Sequence, residues 1–404
     1  MRKVRIDRGV MYAGGQRVLP LEYTLEKLAR PEVLEAIGIT RLADITSLDR
    51  VGIPIVSAIR PSAQEGAVSV YSGKGETLEQ AKVSAIMEGA ERCLAERRDE
   101  RDKTLKGSYA ELAHYENAIE PEKLIPSYPH DNHDTLEWMR GFGLLSGEEV
   151  LVPANAVLHP YNPQDGAHRL FRSNTNGLAA GCVLEDSIVH GLLEVLERDA
   201  LSLAEYSRYT GERVQLCEED GTPYVLMRKF EDAGVRCHLW RLPSHEGVHT
   251  MVAALDDTVL KDASLLVMGA GAHLSPSIAA TRALCEAAQS RLVQIHGARE
   301  DTVREEIARR IGYERMKRLN RHWYADAPSI ELSELEDRSA KSPSENIDRI
   351  LSGIDVDEVV VVDLSIPSLK LSVIRVVIPG FEVYALDASR VGERARSYRE
   401  LVGR

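Results

Sequence analysis

Glu88 and Glu91 stand three residues apart, and Ser84 stands four before Glu88, a spacing that puts all three on one face of a helix. His190, Glu194 and Glu197 share a face in the same way, as do Arg282, Glu286 and Gln289. Two carboxylates on one helical turn repel weakly when solvated, but strongly if their faces meet in a cleft without cations between them. Carboxylates from two helices, with few lysines nearby, suit hard cations shared with phosphate oxygens, the usual Mg2+ arrangement in nucleotide sites. The plainer reading is a solvated surface, because Glu-x-x-Glu-Arg commonly makes exposed ion pairs.

Each carboxylate pair follows a glycine-rich approach, Ser72-Gly-Lys-Gly75 in one case and Ser173-Asn-Thr-Asn-Gly-Leu-Ala-Ala-Gly181 in the other. Such loops let backbone N–H groups come close to an anion at a helix start. Neither fits Gly-x-x-x-x-Gly-Lys-[Ser/Thr], and no Gly-x-Gly-x-x-Gly follows a strand, so P-loop and dinucleotide-fold readings fail. The two stretches also echo each other at a constant offset of 106: Gly75/Gly181, Leu78/Leu184, Glu79/Glu185, Val83/Val189, Glu88/Glu194, Glu91/Glu197 and Arg92/Arg198 coincide. The third helix keeps part of the spacing, which implies three related units in one fold.

The elements that must carry these residues are legible from periodicity. Helical spacing runs over 77–98, 186–206, 277–297 and 301–319, with a shorter stretch over 24–37 interrupted at Pro31. Strand-like runs lie at 53–59, 150–152, 235–240, 251–255, 264–268, 359–364, 371–378 and 381–386. Strands alternating with helices and a strand-rich finish predict an α/β class with mixed sheets. Prolines make 100–170 looser, and the charged stretch 333–348 reads as a surface excursion.

Composition narrows the function. The 404 residues carry 50 Lys+Arg against 63 Asp+Glu, a net charge of −13, which argues against a duplex nucleic-acid binder. No apolar run approaches a bilayer span, and the charged start lacks a signal core, so a cytoplasmic protein without membrane attachment is expected. Five scattered cysteines without Cys-x-x-Cys fit a reducing compartment and disfavour structural zinc. The histidine pairs His130/His133 and His245/His249 have no Cys or carboxylate at ligand spacing.

These motifs resemble the YcaO family of ATP-dependent backbone-modifying enzymes over nearly the whole chain. The resemblance rests on residues 38–54, Arg60-Pro61, Ser-Gly-Lys-Gly75, and the family's Ser-x-x-x-Glu-x-x-Glu-Arg at Ser84, Glu88, Glu91 and Arg92. It continues through Ser173 to Gly181, Glu194-Val-Leu-Glu197-Arg198-Asp199, Arg282-Ala-Leu-x-Glu286, Val-Val-Asp363-Leu-Ser and Pro379-Gly-Phe-Glu382. It implies a YcaO-type fold whose internal repeats converge on a nucleotide cleft. Residues 1–65 would form an N-terminal segment packed on the core and contributing to that cleft, and 66–404 the ATP-binding domain.

By the same resemblance Glu88, Glu91, Glu194 and Glu197 would hold Mg2+ bridging the ATP phosphates. Ser84, Arg198 and Arg282 would contact nucleotide or phosphate, and Arg17 and Thr24 would supply a basic group and a hydroxyl. Cys182 stands where the family usually has Asn, and Asp186 where it has Glu, at positions that would meet the adenosine. Lys74 either reaches a phosphate or is solvated, His190 either touches nucleotide or packs, and Cys182 and Cys285 are either inert thiols or sulfur carriers.

Family members that form azolines use a side chain of the substrate peptide and commonly end in a proline-rich tail, whereas thioamide formers use external sulfide. With no proline after Pro379 and no fused leader-binding domain, the chain is similar to the thioamide formers. Their best-known target is a glycine of methyl-coenzyme M reductase in methanogens. The expected partners are therefore a peptide or protein substrate, with the alpha subunit of that reductase foremost, and a sulfide donor. A TfuA-type helper and a homodimer are both compatible with the resemblance. The alternatives are an azoline-forming cyclodehydratase and a non-catalytic ATP-binding adaptor for a methylthiolation system. The phosphorylated amide oxygen is a good leaving group, so little covalent work falls to the enzyme and no cysteine is expected to be essential.

Overall fold

The computed structural model describes residues 5–13, 17–98, 104–298 and 303–403. Two short helices open the chain, α1 (Leu21–Leu28) and α2 (Pro31–Ala36), with Pro31 in the first turn of the second, where a missing N–H costs nothing. An antiparallel sheet follows in the order β1 (Arg41–Asp44), β2 (Ile55–Ile59), β3 (Val70–Lys74). From its edge strand β3, residues 75–77 turn the chain into α3 (Leu78–Ala95), capped by Thr77, whose hydroxyl accepts from the Gln80 N–H at 3.3 Å. The boundary expected at 65/66 falls in the connection between β2 and β3, two strands of one sheet.

A second sheet, antiparallel throughout, begins with β4 (Leu105–Gly107), the short α4 (Tyr109–Leu112), β5 (Leu136–Gly143) and β6 (Glu149–Pro153). Its far edge is β7 (Leu178–Gly181), from which residues 182–183 lead into α5 (Leu184–Ser207). The third sheet holds β8 (Glu212–Gln215), then α6 (Thr222–Asp232) leading to β9 (Val235–Leu242), β10 (His249–Asp257) and β11 (Met268–His273). Residues 274–275 turn its edge strand β11 into α7 (Pro276–His296), closed by Gly297 at φ 60°. Past α8 (Val303–Ile311) and α9 (Tyr313–Leu319), β12 (Ser329–Glu331) pairs parallel with β8, which makes this the one mixed sheet among the described residues. After α10 (Pro343–Ser352), β13 (Val360–Asp363) and β14 (Ser372–Val377) return to the second sheet, in the order β4-β5-β13-β14-β7, and α11 (Glu393–Val402) ends the fold. The class is mixed α/β, as expected.

One step is therefore taken three times, an edge strand passing through a short turn into a long helix, once per sheet. Glycine makes the steps tight. A Cβ at Gly73 of β3 would collide with the Ala81 carbonyl and the Ala85 amide of α3, and one at Gly269 of β11 with the backbone at Glu286 and Ala287 of α7.

Four sequence expectations need correction. The strand read at 264–268 begins at Met268, after a 3-10 turn at Ala263–Leu265. Gly269 and Gly271, which let α7 press on β11, hid it from a propensity reading. Residues 381–386 form no strand. Gly380, at φ 85°, turns the chain, and the N–H groups of Glu382 and Ala385 donate to Asp199 (2.8 Å) and Ser202 (3.0 Å) of α5 instead of a ladder. The Glu382 carboxylate, fully buried, accepts from the N–H groups of Gly392 and Ala395, both at 2.8 Å, and so anchors the start of α11. The stretch 333–348 is only partly a surface excursion, because Pro343, Asn346 and Ile347 of α10 are buried. The helix read over 301–319 is broken at Gly312, and its first two residues lie outside the described ones.

Candidate functional site

The second member of each helical pair ties its helix to the next unit. On α3, Glu91 Oε1 accepts from the Ala180 N–H of β7 at 2.9 Å. On α5, Glu197 Oε2 accepts from the Ala272 N–H of β11 at 3.1 Å. On α7, Gln289 Nε2 donates to the Ser72 carbonyl of β3. The three contacts run α3 to β7, α5 to β11 and α7 to β3, so the repeated units close a ring. The change from Glu to Gln in the third unit matches the change of partner from an amide N–H to a carbonyl oxygen.

That ring brings the acidic groups together. Lys74 Nζ pairs with Glu286 and also feels Glu197 and Glu88, one carboxylate from each of the three helices. Their field keeps its pKa raised, although burial opposes this. Burial, with Glu88 and Glu194 beside it, holds the Glu91 carboxyl well above the usual range. Burial pushes Glu194 up to about 7 against the pull of Arg198 and with the push of Glu197. Burial likewise raises Glu197, with Glu286 adding to the effect that Arg198 resists. Burial would raise Glu286 too, but Lys74 and Arg198 outweigh it and hold this carboxylate ionised. Arg198 lies 3.4 Å from Glu197 and 3.6 Å from Glu286, and Arg92 lies 3.0 Å from Glu88.

Although protein surrounds them, the side chains of Lys74, Glu88, Arg198 and Glu286 remain between 20% and 25% exposed. They line a cleft that solvent partly reaches. Ser84 lies one turn before Glu88 on α3. Arg282 donates from Nη1 to the Ala272 carbonyl at 3.2 Å, and burial depresses its pKa to about 10. His190 is exposed within the cleft, yet the desolvating walls and then Arg282 and Arg17 push it to about 3, so it is neutral at ordinary pH.

The N-terminal segment reaches the start of α5. The Val18 N–H donates to Asp186 Oδ2 at 3.3 Å, the Asp7 N–H to Glu185 Oε1 at 2.6 Å, and the Cys182 thiol faces the Thr24 hydroxyl at 4.0 Å. Arg17, its pKa lowered by burial, feels both Cys182 and Asp186, and burial raises Asp186 to about 6. Arg17, Thr24, Cys182 and Asp186 thus form one cluster, which His190 and Arg282 connect to the carboxylates. Burial also raises the thiols of Cys182 and Cys285, the latter to about 12, the opposite of nucleophilic activation.

Two site residues have no place among the sequence candidates. Glu286 was visible on a helix face but carried no role until Lys74 met it. Arg375 sits on β14, 4% exposed, where burial lowers its pKa to about 9 despite Glu194 nearby. Its signal was an arginine inside the apolar run Leu371 to Ile378.

No group of three His, Cys, Asp or Glu among the described residues forms a ready metal cage. The donor set is nonetheless hard oxygen, and carboxylates of two helices lie close together, Glu91 feeling Glu88 and Glu194 on top of the burial that chiefly lifts its pKa. Both features fit a divalent cation that completes its shell with other oxygens.

The profile of the family described as YcaO cyclodehydratase, ATP- and Mg2+-binding, matches residues 72–382. The chain is 50% identical over 373 residues to an uncharacterised protein of Methanothermobacter thermautotrophicus, covering 90% of this chain and 95% of that one. It is 31% identical over 376 residues to a protein in the tfuA 3′ region of Rhizobium leguminosarum bv. trifolii, covering 87% and 85%. The solved structure of YcaO from Methanopyrus kandleri bound with AMPPCP and Mg2+ superposes with a TM-score of 0.79 at 30% identity, covering 95% of this chain and 97% of that one. A heterocyclase in complex with substrate and cofactor shares the fold, with a TM-score of 0.78 at 21% identity over 94% of this chain and 54% of that one.

Proposed function

The chain belongs to the YcaO family, with ATP and Mg2+ as its cofactors, and from that premise we propose that it converts a peptide backbone amide into a thioamide using ATP and sulfide. The observation that carries this reading is the convergence of carboxylates from α3, α5 and α7 around Lys74, with the arginines Arg198 and Arg282 beside them. An oxygen-rich, cation-demanding centre next to guanidinium groups suits a metal-bound triphosphate. The relative in a tfuA region supports sulfur insertion over ring formation. The methanogen relatives support the alpha subunit of methyl-coenzyme M reductase as target, with a glycine as the modified residue.

In this reading Glu88, Glu91, Glu194 and Glu197 hold the metal, which when bound offsets the charge that builds on the transferring phosphoryl group. Lys74, Ser84, Arg198 and Arg282 orient the phosphates. Arg17, Thr24, Cys182 and Asp186 meet the nucleoside, and residues 1–65 thereby complete the ATP-binding unit. Sulfide adds to the amide carbon, and the amide oxygen then attacks the γ-phosphorus and releases ADP. As the C=S bond forms, the C–O bond breaks and inorganic phosphate departs. His190, neutral at working pH, adds no positive charge there.

Mass spectrometry of a glycine-containing reductase peptide incubated with enzyme, Mg-ATP and sulfide is expected to show one oxygen replaced by sulfur. Loss of water without added sulfide from a Cys- or Ser-containing peptide would indicate azoline formation instead. Nucleotide binding with no peptide-coupled turnover would indicate an adaptor.

A further inference from the structure

Next to Glu194 lies a pocket of about 50 Å³ whose lining includes Phe171, Asn174, Asn176, Val195, Arg375 and Phe381. Three of its buried polar atoms have no hydrogen-bond partner: Nε and Nη1 of Arg375 and Oδ1 of Asn176. The Arg375 guanidinium is fixed by its remaining arm, which donates from Nη2 to Asn174 Oδ1 at 3.2 Å. The same Asn174 oxygen accepts from the Asn176 N–H at 3.0 Å, so one side chain holds both walls. Leaving buried donors and an acceptor unpaired is costly unless a ligand, an ion or an ordered water satisfies them, and here they gather on one pocket. Val195 follows Glu194 on α5, and Arg375 feels the Glu194 charge, so the pocket lies beside the carboxylate centre.

We propose that this pocket seats one peptide unit of the substrate, whose carbonyl oxygen accepts from Arg375 while its N–H donates to Asn176. Unpaired donors beside one unpaired acceptor are complementary to a secondary amide, which offers one acceptor and one donor. Inorganic phosphate could also bond Arg375, and Lys123 and Arg390 line the same pocket, so phosphate is the competitor the test includes. The apolar walls, Phe171, Val195 and Phe381, suit small or aliphatic neighbours of that amide. The inference rests on the thioamidation reading for the identity of the peptide, though not for the shape of the pocket.

The test measures binding of a fluorescein-labelled peptide spanning the reductase glycine to the full chain in Mg-AMPPCP, by anisotropy. Arg375→Lys and Asn176→Ala are compared with the unaltered protein. Melting temperature and AMPPCP affinity report on the fold and on the nucleotide half of the cleft. Each substitution is expected to weaken the peptide by about tenfold or more, the size of effect seen when a buried partner is removed. Excess inorganic phosphate is expected not to displace the peptide. No saturable binding to the unaltered protein, equal binding by both variants, or displacement by phosphate would each overturn the proposal. Sulfur incorporation, followed separately by mass spectrometry, isolates the functional reading. A peptide bound in this variant-sensitive way but never converted sinks that reading alone. Conversion with the same peptide KM in both variants sinks the pocket alone.

Discussion

Glu194 carries the sharpest consequence at the scale of a single residue. Its carboxyl rises from an ordinary value of 4.5 to about 7, so the folded chain binds a proton there that the unfolded chain has already released. The stability that comes with this proton is fully present below the unfolded pKa and is lost as pH climbs through about 7. Without nucleotide, Glu194→Gln is therefore expected to gain stability relative to the unaltered protein as pH rises from 4.5 to about 7, read as a growing difference in denaturant midpoint. A difference that stays constant across that range would refute the assignment. The residues that spacing could reveal were those repeated on helices, since Glu88, Glu91, Glu194 and Glu197 stand in phase. Arg375 could not be found that way, because one charge in an apolar strand has no period, and what makes it matter is the pair of atoms left unpaired in a pocket.

Among the elements, the helices were legible because α3, α5 and α7 are long enough to show their period. The strands that mattered most were not. β11 reads Met-Gly-Ala-Gly-Ala-His, a poor strand by propensity, because α7 must lie on its backbone. Sequence that looks strand-like at 381–386 is instead a turn whose N–H groups are claimed by side chains of α5. Tertiary partners set both outcomes, and local sequence does not record them. The same close packing makes Gly73 indispensable. Gly73→Ala drives a methyl into the backbone of α3, and a loss of about 1–3 kcal/mol or more is expected in denaturant unfolding, with weaker AMPPCP binding since α3 carries Glu88 and Glu91. Unchanged stability in that variant would mean that α3 and β3 are not locked as described.

Across the whole molecule, three sheets each send one helix inward from an edge strand, and side-chain ties from each helix to the next unit's strand close the ring. The repeat was visible in sequence as an echo at 106 residues, but its closure was not, because a Gln in the third unit replaces the acid and the partner changes with it. No described helix is long and apolar enough to cross a membrane. What the architecture produces is a partly open cleft where carboxylates of α3, α5 and α7 converge on Lys74 and Arg198, and the proposed function has a metal-bound triphosphate completing it. The most direct test is calorimetric titration of AMPPCP, with and without Mg2+, into the unaltered protein and into Glu88→Gln and Glu194→Gln. Mg2+-dependent binding is expected, and both substitutions should reduce it by about a hundredfold or more while the fold persists. Full affinity retained in both variants would contradict it.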